Sequence, residues 1–146
     1  MDDDFDISAF KTLATADMVV NHPITGVPTK WIITFAGPGH PQTVDLADRQ
    51  ARRRLTEDKN KLQAQVNGRK YKAPDLSPED VRDEIVGDIV DRIVTWTPVR
   101  LDGEAVEFSK AKAVALLRDP AYGKLFEQII DFLAAERSFM PRSAQN

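Results

Sequence analysis

The side chains best suited to proton transfer or metal binding are the two histidines, His22 and His40. Imidazole can act as a general base near neutral pH and is a frequent zinc ligand. Each histidine precedes a proline in a segment that predicts a loop, and neither has a second histidine at the spacing that zinc sites use. We therefore predict a structural or solvent-exposed role for both histidines, and no metal site.

Paired carboxylates are the second candidate for chemistry. Asp80 with Glu84, and Asp88 with Asp91, are spaced so that each pair lies on one side of a helix. Two carboxylates can divide acid and base roles when burial separates their pKa values. This helix is predicted to bury its apolar side, so we interpret the acids as a solvated acidic face. The acidic start at 1–6 lacks the alternating ligands and the glycine of a calcium loop.

The sequence offers no familiar nucleophile or phosphate-binding loop. The segment at 37–39 is not followed by Lys and Ser or Thr at the spacing of such a loop. Cysteine is absent, and no serine lies in a nucleophile-elbow pattern. We predict that the protein is not an enzyme and that it needs no cofactor.

The charged residues are strongly segregated, although the net charge is only −3. From Arg49 to Lys72 nine basic residues are opposed by two acidic ones, whereas 75–91 holds seven acidic residues and one basic residue. Two interpretations are open. Either the two blocks attract each other within one fold, or they form a charge-patterned surface for a partner.

Arg52, Arg53 and Arg54 are the main argument for nucleic-acid binding, since arginines contact phosphates. No aromatic residue lies between Arg49 and Lys61 to stack on bases, and the chain as a whole is acidic. We therefore expect protein partners rather than nucleic acid. A nucleic-acid-binding regulator stays as an alternative.

The 146 residues fit one domain. We predict a flexible acidic lead-in over 1–14, a single domain over 15–140 and a flexible tail over 141–146. The acidic N-terminus lacks the basic start and the apolar run of a secretory signal, and the apolar runs are too short to cross a membrane. The expected protein is soluble and cytoplasmic.

The N-terminal half predicts a β-hairpin followed by a long helix. Strands are predicted at Thr15–Val20 and Lys30–Phe35, with a loop rich in proline and glycine between them. From Gln42 to Val66 there is neither proline nor glycine, which predicts one helix. Its thin apolar stripe comprises Val44, Ala47, Ala51, Leu55, Leu62 and Val66.

A helix that buries so little either projects from the body or packs against another subunit, so we expect a homo-oligomer. The candidate interaction surface comprises Leu55, Leu62, Arg52, Arg53 and Arg54.

The C-terminal half predicts a core helix, a second hairpin and two further helices. Ser77 caps the core helix, whose apolar positions comprise Val81, Ile85, Val86, Ile89, Val90, Ile93 and Trp96. Asp102–Gly103 predicts a two-residue type I′ turn. Ser109 caps a short helix, Asp119–Pro120 opens the last helix, and Phe139 is expected to fold back onto the core. Together these elements predict an α+β fold that is mainly helical.

The segment from Trp96 to Phe139 resembles small proteins of long-tailed (siphovirus-type) bacteriophages, of the tail assembly chaperone type. The resemblance lies in Trp96–Ser109, in the helix Lys112–Leu117, and in Ile129–Phe132 together with Phe139. The loop His22–Pro28 between the two predicted strands also looks like such proteins. These are structural patterns rather than catalytic signatures, and with their flanking elements they cover roughly half of the chain.

The resemblance implies a protein that acts in the cytoplasm of an infected bacterium. Proteins of this type bind the tape measure protein, keep its hydrophobic helices soluble, recruit tail tube subunits, and are absent from the finished virion. We therefore expect a tail assembly chaperone whose partners are the tape measure protein and the tail tube protein. A neck or tail protein that stays in the virion is the first alternative.

Overall fold

An antiparallel sheet of three strands, in the order β1–β2–β3, forms the centre of the structure. Strand β1 spans Thr15–Asn21, β2 spans Pro28–Ala36 and β3 spans Ile93–Trp96.

The structure is a computed structural model that describes residues 4–72 and 76–141. Residues 1–3 of the predicted lead-in, 73–75 before the predicted core helix and 142–146 of the predicted tail lie outside the described residues.

Four α-helices and a second small sheet complete the described part of the chain. The helices are α1 (Pro41–Val66), α2 (Pro78–Asp91), α3 (Lys110–Arg118) and α4 (Gly123–Ala134). Strands β4 (Val99–Leu101) and β5 (Glu104–Val106) form the second sheet. Short 3-10 turns lie at Ile7–Phe10, Pro120–Tyr122 and Glu136–Phe139. This architecture confirms the predicted α+β fold with its two hairpins, long helix, core helix and two C-terminal helices.

The predicted N-terminal hairpin is confirmed. In β1, Ala16, Met18 and Val20 are buried while the residues between them are exposed, which is the period of two that a half-buried strand requires. Ala16 pairs with Phe35, and Met18 pairs with Ile33. The pairing places the buried residues of both strands on the same side of the sheet.

Both histidines stabilise local backbone. The Nδ1 atom of His22 accepts hydrogen bonds from the backbone N–H groups of Ile24 at 3.2 Å and Thr25 at 3.3 Å, within the hairpin loop. The Nδ1 atom of His40 accepts a hydrogen bond from the Gln42 N–H at 3.1 Å and caps the start of α1. Each histidine therefore has a structural role in the turn where it lies.

The predicted starts of the core helix and of α3 are confirmed. Ser77 Oγ accepts a hydrogen bond from the Asp80 N–H at 3.1 Å, and Asp80 Oδ2 accepts one from the Ser77 N–H at 3.2 Å. These reciprocal bonds satisfy two backbone donors that a helix start would otherwise leave unpaired. Ser109 Oγ likewise accepts a hydrogen bond from the Lys112 N–H at 3.1 Å.

The predicted core helix is too long at its C-terminal end. Helix α2 ends at Asp91, and Ile93–Trp96 forms β3, which pairs antiparallel with β2. The spacing from Ile89 to this segment fits a helix, but the segment begins with three β-branched residues, which favour a strand. The free edge of β2 supplies the pairing partner. Tertiary pairing therefore overrides the helical period at this point.

The second hairpin is confirmed with its turn. Asp102 has φ 51° and Gly103 has φ 84°, as a type I′ turn requires of both central residues. The indole N–H of Trp96 donates a hydrogen bond to the carbonyl oxygen of Val106 at 3.2 Å. This bond joins the second hairpin to the end of β3.

The last helix starts later than predicted. Asp119 Oδ1 accepts a hydrogen bond from the Ala121 N–H at 2.9 Å, so it caps the 3-10 turn Pro120–Tyr122 and not an α-helix. Tyr122, with φ −102° and ψ 25°, departs from the α conformation, and α4 begins at Gly123. The prediction was wrong by about one turn because an Asp-Pro pair can open a 3-10 turn as well as an α-helix.

The hydrophobic core is formed by the three-stranded sheet together with α2, α3 and α4. Its most deeply buried members are Ile33, Phe35, Val86, Val90, Ile93, Ala113, Leu117 and Ile129. Phe139 is also buried, with its ring centroid 5.6 Å from that of Phe132, which confirms that it folds back onto the core. Helix α1 is not part of this cluster.

Candidate interaction surfaces

Helix α1 contacts the body along one side of its first half. Leu46 is the one buried residue of this helix. Gln42 Nε2 donates hydrogen bonds to the carbonyl oxygens of Asp91 at 3.0 Å and Ile93 at 3.2 Å. These contacts attach the start of α1 to the end of α2 and the start of β3. We call this side the inner side of α1.

The two opposite charge blocks meet between α1 and α2. Arg49 Nη2 lies 3.0 Å from Asp91 Oδ2, and Arg53 forms ion pairs with Glu84 and, at 3.2 Å, with Asp88 Oδ1. This geometry favours the first interpretation of the charge pattern, in which the blocks attract each other within one fold. It also corrects the view that the acids of α2 lie wholly in solvent, because the two arginines cover part of Asp88 and Asp91.

The apolar stripe of α1 points away from the body except at Ala47, which borders a cleft beside Leu46. Leu55 follows Leu46 by nine residues, which is about 180° around the helix axis at 3.6 residues per turn. Leu55 is 68% exposed, Leu62 is 62% exposed and Val66 is 78% exposed. The prediction that the long helix buries little is therefore confirmed. Leu46, which does contact the body, lies outside the predicted stripe.

The five residues of the candidate surface do not lie on one side of the helix. Leu55 and Leu62 are about two turns apart and share the side of α1 opposite Leu46, which we call the outer side. Arg52 lies about 60° around the helix from Leu55. Arg53 lies about 160° from Leu55, among the inner-side residues that pair with α2. Arg54 lies on a flank between the two sides. The outer side thus keeps both leucines, whereas Arg53 lies on the inner side, Arg54 lies on a flank, and Arg52 borders the cleft between α1 and α2.

A second surface is an apolar groove bordered by both hairpins and the C-terminal helices. Two adjoining cavities of about 510 Å³ and about 820 Å³ open along it. Their shared lining residues are Trp31, Val99, Arg100, Tyr122 and Leu125. We call this surface the aromatic groove. It is the more enclosed of the two surfaces, since α1 offers only a convex helix side.

Tryptophan side chains dominate the aromatic groove. The rings of Trp31 and Trp96 meet edge to face with centroids 5.6 Å apart, and Trp96 meets Phe108 at 5.1 Å. Trp96 is buried, whereas Trp31 is only partly buried. The indole N–H of Trp31 is inaccessible to solvent and has no acceptor among the described residues.

Sequence reasoning did not find the aromatic groove. Trp96, which was predicted among the apolar positions of the core helix, is buried, whereas Trp31 is only partly buried. The available signal was the apolar content of the short second hairpin, where Val99, Leu101 and Val106 alternate with polar residues. Val99 and Val106 are cross-strand partners, so these residues share one face, and a two-stranded hairpin is too small to bury that face by itself.

Neither surface has the composition of a metal or membrane site. Among the described residues, no three His, Asp or Glu side chains cluster closely enough to hold a metal ion. Within the same part of the chain, α1 has the length to cross a membrane but is too polar, and the other helices are too short. Comparison of the chain with protein-family models, curated proteins and solved structures found no match.

Proposed function

We propose that this protein is a tail assembly chaperone of a long-tailed bacteriophage, acting in the cytoplasm of the infected host. Its client is the tape measure protein, whose hydrophobic helices it keeps soluble, and it recruits tail tube protein to the complex. In this proposal the protein performs no catalysis and uses no cofactor. The aromatic groove is the site that binds the client.

The observation that carries the proposal is the position of the segments that resemble phage chaperones. Trp96–Ser109 and Lys112–Leu117 together supply ten of the fourteen residues that line the first cavity. The loop His22–Pro28 supplies three residues to the lining of the second cavity. These segments, far apart in the sequence, thus meet at one groove, whereas the remaining part of the resemblance, Ile129–Phe132 with Phe139, lines neither cavity. In a binding protein, a family resemblance carried by loops and hairpins is expected to concentrate at the binding surface.

An amphipathic helix of the client is the occupant that suits the groove. Such helices dock by inserting apolar side chains from successive turns into a hydrophobic groove, and the two adjoining cavities offer two such positions. The charged lining residues are Lys30, Arg100, Lys112, Lys124, Glu104 and Asp119. Four basic and two acidic side chains leave a formal charge of +2, which favours a helix with an acidic flank.

Co-expression with the tape measure protein of the same phage genome tests the proposal. The soluble fraction, co-purification and the size of the complex would be measured. We expect the tape measure protein to be insoluble alone and to become soluble in a complex with this chain. The absence of any complex, together with detection of the chain in purified virions by mass spectrometry, would instead favour a retained neck or tail protein.

A pair of matched variants tests whether the groove is the client site. Leu101 in the groove is 43% exposed, and Val81 on α2, which lines neither groove cavity, is 42% exposed. We expect Leu101→Lys to lose most of the soluble client and Val81→Lys to retain it, because only the first change places a charge in the binding surface. Equal losses would contradict the groove as the client site.

A DNA-binding assay on the same purified protein tests the nucleic-acid alternative. Arg53 is engaged by Glu84 and Asp88, which reduces the positive charge available to phosphates on α1. We expect no binding to random duplex DNA in an electrophoretic mobility assay at low salt. Binding that weakens steeply as salt rises would favour a nucleic-acid-binding regulator over the chaperone.

A further inference from the structure

We infer that two copies of this protein associate through the outer side of α1, with the two helices running antiparallel. The outer side comprises Ala51, Leu55, Asp58, Lys59, Leu62 and Val66. The occupant of this surface is therefore a second copy of the same chain. The inference does not depend on the aromatic groove or on the identity of any client.

The outer side is free within the described protein. All six of its residues are exposed, including Leu55 and Leu62. The segment that follows α1 packs elsewhere: the Tyr71 hydroxyl lies 3.5 Å from Glu57 Oε1, and Lys61 Nζ lies 5.5 Å from the centroid of the Tyr71 ring. Glu57 is about 160° from Leu55 around the helix, so Tyr71 leaves the apolar stripe uncovered.

The residues of the outer side are spaced symmetrically about the Asp58–Lys59 pair. Ala51 and Leu55 precede the Asp58–Lys59 pair by the same intervals at which Leu62 and Val66 follow it. A two-fold axis between residues 58 and 59 therefore places Leu55 against the partner's Leu62. The same axis places Ala51 against the partner's Val66. A two-fold interface must be complementary to itself in this way.

The charges also fit the antiparallel arrangement. In this register Asp58 lies opposite the partner's Lys59, and the symmetry repeats that pair. The nearby arginines Arg52 and Arg54 lie opposite the uncharged side chains of the partner's Gln65 and the partner's Gln63. A parallel pair in register would instead place each charged residue opposite its own copy, and like charges across a helix pair repel. The charge pattern thus selects the antiparallel orientation.

Sedimentation or light scattering over a concentration series tests the association. We expect the natural chain to form dimers, and Leu55→Asp or Leu62→Asp to weaken dimerisation at least about tenfold, because each puts a charge at the centre of the apolar contact. Asn60→Asp is the matched control, since it adds the same charge to the same helix about 140° from Leu55. Circular dichroism checks that each variant keeps its helix. A natural chain that stays monomeric at millimolar concentration would overturn the inference.

A charge exchange tests the register. Asp58→Lys alone and Lys59→Asp alone each place like charges opposite one another, so we expect both to weaken the dimer. The double variant Asp58→Lys with Lys59→Asp restores an opposite-charge pair in the antiparallel register, and we expect it to recover the dimer. Failure of the double variant to recover dimerisation would overturn the proposed register.

Cross-linking separates antiparallel from parallel helices, because the chain has no cysteine of its own. We expect a mixture of Leu55→Cys and Leu62→Cys proteins to form a disulfide-linked heterodimer. Neither variant alone should cross-link, because the same position in the two copies lies about 10 Å apart along the helix axis. That separation is beyond the reach of a disulfide. Cross-linking of Leu55→Cys with itself would overturn the antiparallel orientation.

Discussion

The two halves of α1 belong to one continuous helix but are held very differently. In the first half, Leu46 is buried and Gln42, Arg49 and Arg53 bond to α2 or β3. In the second half the leucines are exposed, and the side-chain contacts reach Tyr71 in the segment that follows. The half that projects therefore exposes three large apolar side chains, those of Leu55, Leu62 and Val66. Helix α1 is attached to the body mainly by polar groups.

This difference shows where amphipathic reasoning fails. A stripe of apolar residues on a surface helix normally marks the side that faces the core. In α1 most of that stripe lies on the outer side, while the inner side carries one leucine among amides and arginines. An apolar stripe indicates that some partner is favoured, but it does not tell whether the partner is the body or another molecule.

The largest expected effect concerns the connection that leads into α1. A Cβ atom on Gly37 would lie 2.0 Å from the carbonyl oxygen of Leu13, and the Gly37 N–H donates to the Ala14 carbonyl oxygen at 2.8 Å. Because the clash is with backbone, we expect Gly37→Ala to lower the free energy of unfolding by about 3 kcal/mol, measured by urea denaturation.

Gly39→Ala is the matched control, since a Cβ atom there meets nothing within 4 Å. It should change the free energy of unfolding by no more than about 0.5 kcal/mol. If Gly37→Ala proved as harmless as the control, residues 13–14 would not pack against Gly37 as the structure shows.

The next effect compares one chemical change at two positions of the same helix. Leu46→Ala should lower the free energy of unfolding by about 2 kcal/mol, the low end for a buried leucine, because a surface cleft borders this side chain. Leu55→Ala should change it by less than about 0.5 kcal/mol at concentrations where the protein is monomeric. Thermal or urea unfolding at two protein concentrations measures both. The reverse ranking would mean that the apolar stripe faces the body after all.

The elements that could be predicted from the sequence are those decided by local interactions. The capping box at Ser77 and the turn at Asp102–Gly103 each depend on hydrogen bonds or dihedral angles within four residues. The strand Ile93–Trp96 depends instead on the free edge of β2, which lies about sixty residues earlier in the chain. The apolar spacing of three and four residues is typical of a helix, so the sequence wrongly predicted that this strand belongs to the core helix.

The two candidate surfaces differ in the same way in how far the sequence predicts them. The stripe with Leu55 and Leu62 is visible in the sequence because it repeats along one helix, although the direction in which it points is not. The aromatic groove arises only when β2 and β3 pair and Thr97 bonds to Ile32. The Thr97 N–H donates to the Ile32 carbonyl oxygen at 2.9 Å, and Thr97 Oγ1 accepts from the Ile32 N–H at 2.8 Å. That pairing brings the second hairpin beside Trp31. No pattern within a short stretch of sequence predicts such a long-range contact.

The smallest expected effect tests the ion pairs that hold the inner side. Arg53 and Glu84 are each 47% exposed, and exposed ion pairs stabilise proteins by less than about 1 kcal/mol. We expect Arg53→Ala to lower the free energy of unfolding by about 0.5 kcal/mol at low salt, and by less at high salt because mobile ions screen the pair. A double-mutant cycle with Glu84→Ala isolates the interaction. Arg54→Ala is the control, since Arg54 lies one residue later on an exposed flank of α1 and does not border the cleft between α1 and α2. It should have no measurable effect, so an equal loss in both variants would mean that the inner side of α1 is not held by its charges.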